Sequence, residues 1–419
     1  MFPPSWGSPG TSPMSQQGQR DLERLQLRFD EAFQALLGGR PVHTSPTPSD
    51  LVSAEGAARL LRYRPTGRTL ATPLLIVPSM ICPPAILDLA PGRSLVAYLA
   101  AQGIDVFLLD WGEPGPAGRA ITLDEYLAGV LRRAVQRVCE AAGSSQVSLL
   151  GYSMGGTFAA IWSALNSGCV RNLIEVAAPI NFHDAGLLSE WTRKDRFNVD
   201  LVVDTIGVMP AALMQASFKM LTPAAQIMQQ LALAETFGDD DAIQDLLAMQ
   251  SWINNMPAVF GEAYRKWIKD CYQENYLVQG KLVIDRQRVD LTQIDCPLLT
   301  VVASKDYLCP PQSAAILNHL VSSADKQVLE VAGGHVGLVI GDNASAQLWP
   351  RLAEWLRARS DGPACPPETP SDPAAPQPAP AGTAPDHGAG FRAVRPSSPP
   401  GDSPQTKRRR PTRAAPVED

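Results

Sequence analysis

One hexapeptide carries the strongest chemical signal in the sequence, GYSMGG at residues 151–156. The apolar stretch VSLL leads into it and the small-residue stretch GGTFAAIWSAL leads out. A strand, a sharp turn and a helix in this order form a nucleophile elbow, which presents a serine hydroxyl at the end of a strand. We therefore predict that Ser153 is a catalytic nucleophile and that the N–H of Met154 stabilises an oxyanion. The alternative is a glycine-rich turn with an incidental serine.

A serine nucleophile needs a base, and the base needs a partner that orients it. The chain has five histidines, and His335 stands in AGGHVG directly after the last predicted strand. Asp306 follows another predicted strand, in TVVASKDYLCPP. The order Ser153, Asp306, His335 is the order of triads in α/β hydrolases. We predict these three residues as the catalytic triad, the alternatives being a structural role for His335 and helix capping by Asp306.

A second oxyanion donor is expected from the loop that follows the predicted strand ending near Pro78. The loop contains Met80, Ile81 and Cys82, and we predict the N–H of Ile81 as the donor. Cys82 lies close enough to the predicted site to be considered as a nucleophile itself. It is not preceded by an elbow motif, so the sequence favours Ser153.

Six apolar runs, separated by helical patterns, must position these residues. Most of the runs are continuous rather than alternating, as in parallel strands that are covered on both faces. Strands and helices in alternation predict an α/β-hydrolase fold, a mostly parallel, doubly wound sheet with a helical cap inserted before the last two strands. The runs are TPLLIVPSM, Ile104–Trp111, Gln146–Tyr152, Asn172–Ala178, Pro297–Ser304 and Lys326–Val331.

The chain divides into four predicted parts. Residues 1–20 are expected to be disordered, and residues 21–58 to form an amphipathic helix and a linker. Residues 59–358 are the predicted catalytic domain, with the cap at about 181–270. Residues 359–419 hold 15 of the 38 prolines and are expected to be a disordered tail. The cap carries six of the ten methionines, which suits ordinary packing or a pliable apolar substrate surface.

Composition excludes several functional classes. Acidic residues outnumber basic ones by 42 to 36 in 419 residues, so no charge pattern for nucleic-acid binding is present. No apolar run approaches the ~18 residues of a membrane span, and the N-terminal residues lack the pattern of a secretory signal. Seven cysteines, without the spacing of metal ligands, suit a reducing compartment. We therefore expect a cytoplasmic protein without a metal or a cofactor.

Residues from about 59 to 341 resemble the catalytic domain of polyhydroxyalkanoate synthases, nearest in size to the short type that works with a second subunit. The matching segments include VFLLDWGEP, VAAPINF, VDTIGVMP, WINNMP and YRKWIKDCYQEN. By position, Asp306 and His335 match the acid and the base of this family. Ser153 occupies the nucleophile position, where the synthases carry cysteine. The segment ICPPAILDL and Asn255 are further departures from the family pattern.

The resemblance implies an acyltransferase that acts on 3-hydroxyacyl-CoA through the Ser-Asp-His triad and a covalent acyl-enzyme. It also implies a polyester granule as the location, and a second synthase subunit, the granule surface or a second copy of the chain as the partner. The serine supports an alternative, because an oxyester is less activated than a thioester towards a substrate hydroxyl. That alternative is a carboxylester hydrolase: an esterase, a thioesterase or a polyester depolymerase. A non-catalytic granule-binding homologue is the third hypothesis.

Overall fold

An eight-stranded sheet forms the centre of the molecule. The computed structural model describes residues 44–67, 69–113, 120–184, 186–221 and 240–360. The spatial order of the strands is β1-β2-β4-β3-β5-β6-β7-β8; β2 pairs antiparallel with β1 and β4, and every other pair is parallel. This arrangement confirms the predicted α/β-hydrolase fold. The strands are β1 (Asp50–Glu55), β2 (Ala58–Tyr63), β3 (Leu74–Val77), β4 (Val106–Asp110), β5 (Val147–Tyr152), β6 (Val170–Val176), β7 (Leu298–Ala303) and β8 (Lys326–Val331).

Helices cover both faces of the sheet and build the cap. They are α1 (Leu95–Ala101), α2 (Arg132–Ala142), α3 (Met154–Leu165), α4 (Gly186–Trp191), α5 (Val199–Ile206), α6 (Ala211–Leu221), α7 (Asp240–Asn254), α8 (Gly261–Lys266), α9 (Pro311–Ala315), α10 (Leu317–Leu320), α11 (Gly337–Ile340) and α12 (Trp349–Ser360). Three π-helical segments adjoin them, Glu125–Leu131 before α2, Trp267–Gln273 after α8 and Ala344–Leu348 before α12.

Strand β3 shows why the central strands are apolar throughout. Leu75 and Val77 belong to the core cluster that includes α2 and α3, whereas Leu74 and Ile76 belong to the cluster on the opposite face, with α1 and α12. All four side chains are fully buried. A strand that is covered on both faces is apolar at most positions, which explains the continuous runs in the sequence.

The cap lies between β6 and β7 and contains α4 to α8. Phe182, at its start, packs edge-on against Trp267, whose ring also meets Phe158 of α3. Helix α7 is joined to the segment that follows β3, because the indole N–H of Trp252 donates to the carbonyl oxygen of Pro83 at 2.9 Å. The cap therefore rests on the core at α3 and at the loop after β3.

The domain boundaries differ from the sequence prediction at two points. Strand β1 begins at Asp50, inside the segment that was predicted as helix and linker, and pairs with β2 as a hairpin. Its side chains are half-buried or exposed, so it lacks the continuous apolar run that marks the other strands. At the other end α12 continues to Ser360. The predicted disordered N-terminus, the amphipathic helix and nearly all of the predicted tail lie outside the described residues.

Every helix in the described part of the chain is too short or too polar to cross a membrane.

Candidate active site

Ser153 forms the sharp turn between β5 and α3. Its backbone has φ 57° and ψ −130°, a conformation that non-glycine residues rarely adopt. The N–H of Ser153 donates to the carbonyl oxygen of Val176 in the neighbouring strand at 2.8 Å, which holds the turn against the sheet. Such strain costs about 1–3 kcal/mol and persists only where the surroundings enforce it. Ser153 therefore has the backbone geometry of a nucleophile elbow.

Three glycines around Ser153 allow the close packing that this turn requires. A Cβ added to Gly151 would lie 2.2 Å from the Cα of Gly156, and one added to Gly155 would lie 2.1 Å from the carbonyl oxygen of Val77. A Cβ on Gly156 would lie 2.3 Å from a carboxyl oxygen of Glu175. Real Cβ atoms do not approach other atoms so closely. The glycines of GYSMGG are thus dictated by the approach of α3 to β3, β5 and β6.

The structure brings the three predicted triad residues together. The Nε2 atom of His335 lies 2.9 Å from the Oγ atom of Ser153, and its Nδ1 atom lies 2.7 Å from an Oδ atom of Asp306. The side chain of Asp306 is fully buried, and its other oxygen accepts the N–H groups of Leu308 and Cys309, both at 2.9 Å. These contacts suit an imidazole that donates from Nδ1 to the carboxylate and accepts the serine proton at Nε2.

The predicted oxyanion donors differ in their present partners. Met154 is the first residue of α3, so its N–H has no acceptor within the helix and points along the positive end of the helix dipole. The N–H of Ile81 instead donates to the hydroxyl of Ser79 at 3.3 Å, a long hydrogen bond. The loop itself begins beside α3, since Gly155 abuts Val77 and Pro78. Ile81 must therefore exchange its acceptor to bind an oxyanion.

Comparison with known proteins shows which family the chain belongs to. Residues 18–99 match the family described as poly-beta-hydroxybutyrate polymerase (PhaC) N-terminus, and residues 78–342 match the alpha/beta hydrolase fold. The poly(3-hydroxyalkanoate) polymerase subunit PhaC of Allochromatium vinosum is 36% identical over 337 residues, which cover 79% of this chain and 94% of the relative. The chain belongs to the PhaC family.

Two further PhaC subunits match over much of the chain. That of Haloferax mediterranei is 35% identical over 76% of this chain and 66% of its own length. That of Thiocystis violacea is 33% identical over 80% of this chain and 94% of its own length. The resemblance to polyhydroxyalkanoate synthases, indicated by matching segments spread along the chain, is confirmed. The relatives are named as polymerases, which are acyltransferases.

Cys82 is the other residue of this PhaC-family site that was considered as a nucleophile. Burial raises the pKa of its thiol to about 12, so the thiolate is scarce near neutral pH. The thiolate rather than the thiol is the nucleophile, and the environment of Cys82 therefore disfavours attack. Among the described residues, no group of three or more histidine, cysteine or acidic side chains is placed to hold a metal ion.

Tyr152 is a residue of the site that sequence reasoning missed. Its ring lies 5.4 Å from the ring of His335, centroid to centroid, and its hydroxyl donates to the carbonyl oxygen of His335 at 3.4 Å. Burial raises the pKa of Tyr152 well above its usual value of 10, so the phenol stays neutral. The one available signal was its position directly before Ser153.

Proposed function

We propose that this chain transfers 3-hydroxyacyl groups from CoA to the hydroxyl end of a growing polyester, through an acyl-enzyme on Ser153. One observation carries the proposal: in a PhaC-family chain, Ser153 at an elbow lies 2.9 Å from His335, which in turn lies 2.7 Å from Asp306. The nucleophile, the base and the orienting carboxylate are all within hydrogen-bond distance before a substrate binds. No cofactor beyond the CoA of the substrate is required.

Acylation of the enzyme follows from these contacts. His335 takes the hydroxyl proton as the Oγ atom of Ser153 bonds to the thioester carbonyl carbon. The N–H groups of Met154 and Ile81 stabilise the oxyanion, and Asp306 stabilises the imidazolium. When the carbon–sulfur bond breaks, His335 returns the proton to the CoA sulfur. The products are free CoA and a hydroxyacyl ester of Ser153.

Chain growth uses the same groups in the reverse direction. His335 accepts the proton of a hydroxyl on another hydroxyacyl unit, and the oxygen of this hydroxyl attacks the ester carbonyl carbon. The bond to Ser153 breaks, and its oxygen regains a proton from His335. One ester replaces another, so this step involves little change in bond energy. Selection of a hydroxyl acceptor over water then decides between polymer and free acid.

Hydrolysis is the second candidate function, and Ser153 itself is the observation that favours it. The resemblance assigns cysteine to this position in the synthases. A serine ester is less reactive than a thioester towards an alcohol, and its resolution by water is ordinary esterase chemistry. A non-catalytic, granule-binding homologue has less support, because the three side chains are assembled as a working triad would require.

The surface of the cap supports the proposal that the protein binds a partner. Its helices carry large apolar side chains that are exposed to solvent, those of Leu201, Ile206, Leu213 and Met220. We propose that a second synthase subunit, the polyester surface or a second copy of this chain covers them in a cytoplasmic assembly. Sedimentation of the purified protein, alone and with polyester particles, distinguishes self-association from surface binding. A protein that stays monomeric and does not sediment with the particles would contradict both self-association and surface binding.

A product assay tests the proposed function. The purified protein is incubated with 3-hydroxybutyryl-CoA, and thiol release, sedimentable polymer and free 3-hydroxybutyrate are measured together. We expect thiol release with polymer, both lost in Ser153→Ala. Ser163→Ala is the matched control, because Ser163 is a buried serine of the same helix whose hydroxyl has no hydrogen-bond partner among the described residues. Free acid without polymer would establish the hydrolase, and thiol release from Ser153→Ala would exclude the assigned nucleophile.

A further inference from the structure

A buried carboxyl group lies beneath the first turn of the nucleophile helix. Glu175 of β6 is 1% exposed, and neither of its carboxyl oxygens has a hydrogen-bond partner among the described residues. One of these oxygens would lie 2.3 Å from a Cβ placed on Gly156, the third residue of α3. Buried carboxyl groups are normally paired or hydrogen-bonded, so an unpartnered one calls for an explanation.

Within the described part of the chain, the elements around Glu175 offer it no positive charge. Its in-register neighbours in the sheet are Gly151 of β5 and Thr300 of β7. The sequence of α3, MGGTFAAIWSAL, contains no charged residue. The titratable groups that interact with Glu175 are Cys296, which precedes β7, and Cys309, which follows it, and neither carries a positive charge.

Burial without a counter-ion favours the protonated form of a carboxyl group. Burial raises the pKa of Glu175 well above its usual value of 4.5. The nearby thiols are neutral as well, since burial raises the pKa of Cys296 to about 12 and that of Cys309 well above its usual value of 9. Glu175 and the two thiols that act on it are therefore all uncharged.

We infer that Glu175 is a positioning residue that acts as a neutral acid: its uncharged carboxyl packs against Gly156, supports the first turn of α3 and leaves the positive end of that helix to the oxyanion. The inference rests on the proposed function only in taking Ser153 as the nucleophile. A carboxylate at this position would place a negative charge at the same helix end, in surroundings that screen it poorly. It would oppose the negative charge that develops on the substrate oxygen.

Unfolding at a series of pH values tests whether Glu175 is neutral in the folded protein. Folding raises the pKa of Glu175. Ionisation of Glu175 in the unfolded chain therefore favours unfolding as the pH rises above about 4.5. Relative to Glu175→Gln, the unfolding equilibrium constant of the wild type should therefore rise about tenfold per pH unit. The rise should stop at the pH at which Glu175 ionises in the folded protein. A constant ratio of the two unfolding constants from pH 5 to 10 would overturn the inference.

The acylation of Ser153 by a p-nitrophenyl ester tests the role of the neutral form. Wild type and Glu175→Gln should be acylated at similar rates throughout the pH range in which the ratio of their unfolding equilibrium constants still rises with pH. Above that range the wild type should become at least about tenfold slower than Glu175→Gln. Glu175→Ala, which leaves a space under α3, should be slower than Glu175→Gln at neutral pH. A slow Glu175→Gln at neutral pH, or identical rates at high pH, would overturn the inference.

This design separates two failures. If the product assay finds no acyl transfer from CoA but the ester still labels Ser153, the proposed function fails while the inference about Glu175 stands. If the ester does not label Ser153, the function of the site fails, and the unfolding series still decides whether Glu175 is neutral. If the product assay is normal but the ratio of the two unfolding equilibrium constants does not change with pH, the inference about Glu175 fails while the proposed function stands.

Discussion

The two halves of the candidate site are held in different ways. The triad is fixed by the core: three glycines pack α3 against the sheet, and Asp306 is oriented by two backbone N–H groups at 2.9 Å. The loop after β3 is held instead by indole N–H groups from other segments of the chain. The indole N–H of Trp111 donates to Pro78 at 2.8 Å, and that of Trp252, in the cap, donates to Pro83 at 2.9 Å.

This difference separates two catalytic tasks. The activation of Ser153 by His335 is already organised in the structure, whereas the second oxyanion donor, Ile81, is engaged with Ser79. Because Trp252 links the cap to the loop, the position of the cap can set the position of Ile81. We therefore expect substitutions at the triad to abolish chemistry, and substitutions at the cap contact to reduce it in a graded way.

The largest effect is expected from the base. His335→Ala removes the one hydrogen-bond partner that the hydroxyl of Ser153 has among the described residues, and the rate of acylation should fall by about 10³-fold or more. Initial rates with 3-hydroxybutyryl-CoA measure the loss. His319→Ala, in α10, is the matched control and should retain the wild-type rate. A loss below tenfold in His335→Ala would show that another base serves Ser153.

Packing of the elbow is tested by Gly155→Ala. The new Cβ would meet the carbonyl oxygen of Val77 at 2.1 Å, which neither backbone can relieve without moving. We expect the free energy of unfolding to fall by about 3 kcal/mol, measured by chemical denaturation. Gly337→Ala is the control, since its Cβ meets nothing within 4 Å, and it should change stability little. Equal effects of the two substitutions would refute the account of the elbow glycines.

The link between cap and loop is tested by Trp252→Phe, which keeps an aromatic side chain, though a smaller one, and removes the hydrogen bond to Pro83. We expect kcat to fall by roughly tenfold, as when an oxyanion donor is partly misplaced, with a stability loss of about 1 kcal/mol. Trp355→Phe is the matched control, because the indole N–H of Trp355 has no partner among the described residues. An unchanged kcat in Trp252→Phe would show that the cap does not control the position of the loop after β3.

The smallest effect is expected at Tyr152. Its hydroxyl donates to His335 over 3.4 Å, so Tyr152→Phe should lower the acylation rate only about twofold, which corresponds to less than 1 kcal/mol. Rates should be compared with those of Tyr307→Phe, an exposed tyrosine beside Asp306. A loss of tenfold or more would mean that the hydroxyl, and not only the ring, positions His335.

Sequence reasoning could predict those parts of the fold that depend on continuous apolar runs. Strand β8 was predicted with its observed bounds, Lys326–Val331, and the predicted starts of the other central strands lie within two residues of those observed. Strands β1 and β2 were both missed, because β1 is a half-exposed edge strand and β2 is interrupted by Arg59 and Arg62, so neither has a continuous apolar run. The side chain of Leu51 in β1 is 58% exposed, which no burial pattern would predict.

In the candidate site, too, some features could be predicted from the sequence and others could not. Ser153, Asp306 and His335 follow strands whose ends meet at one edge of the sheet, so their order and positions were enough to predict that they lie together. The partner of the Ile81 N–H depends on a loop conformation, and Glu175 looked like one more residue in an apolar strand. Its isolation follows from the absence of side chains at Gly151 and Gly156, which becomes evident only when strand and helix are packed.

The central claim is that Ser153 carries the acyl group, and one measurement tests it most directly. The reaction with 3-hydroxybutyryl-CoA is stopped with acid during turnover, and the peptide containing GYSMGG is examined by mass spectrometry. The account predicts a hydroxybutyryl group, or an oligomer of it, on Ser153, and none on this peptide in Ser153→Ala. An acyl group on Cys82, or thiol release with no acylated peptide, would contradict it.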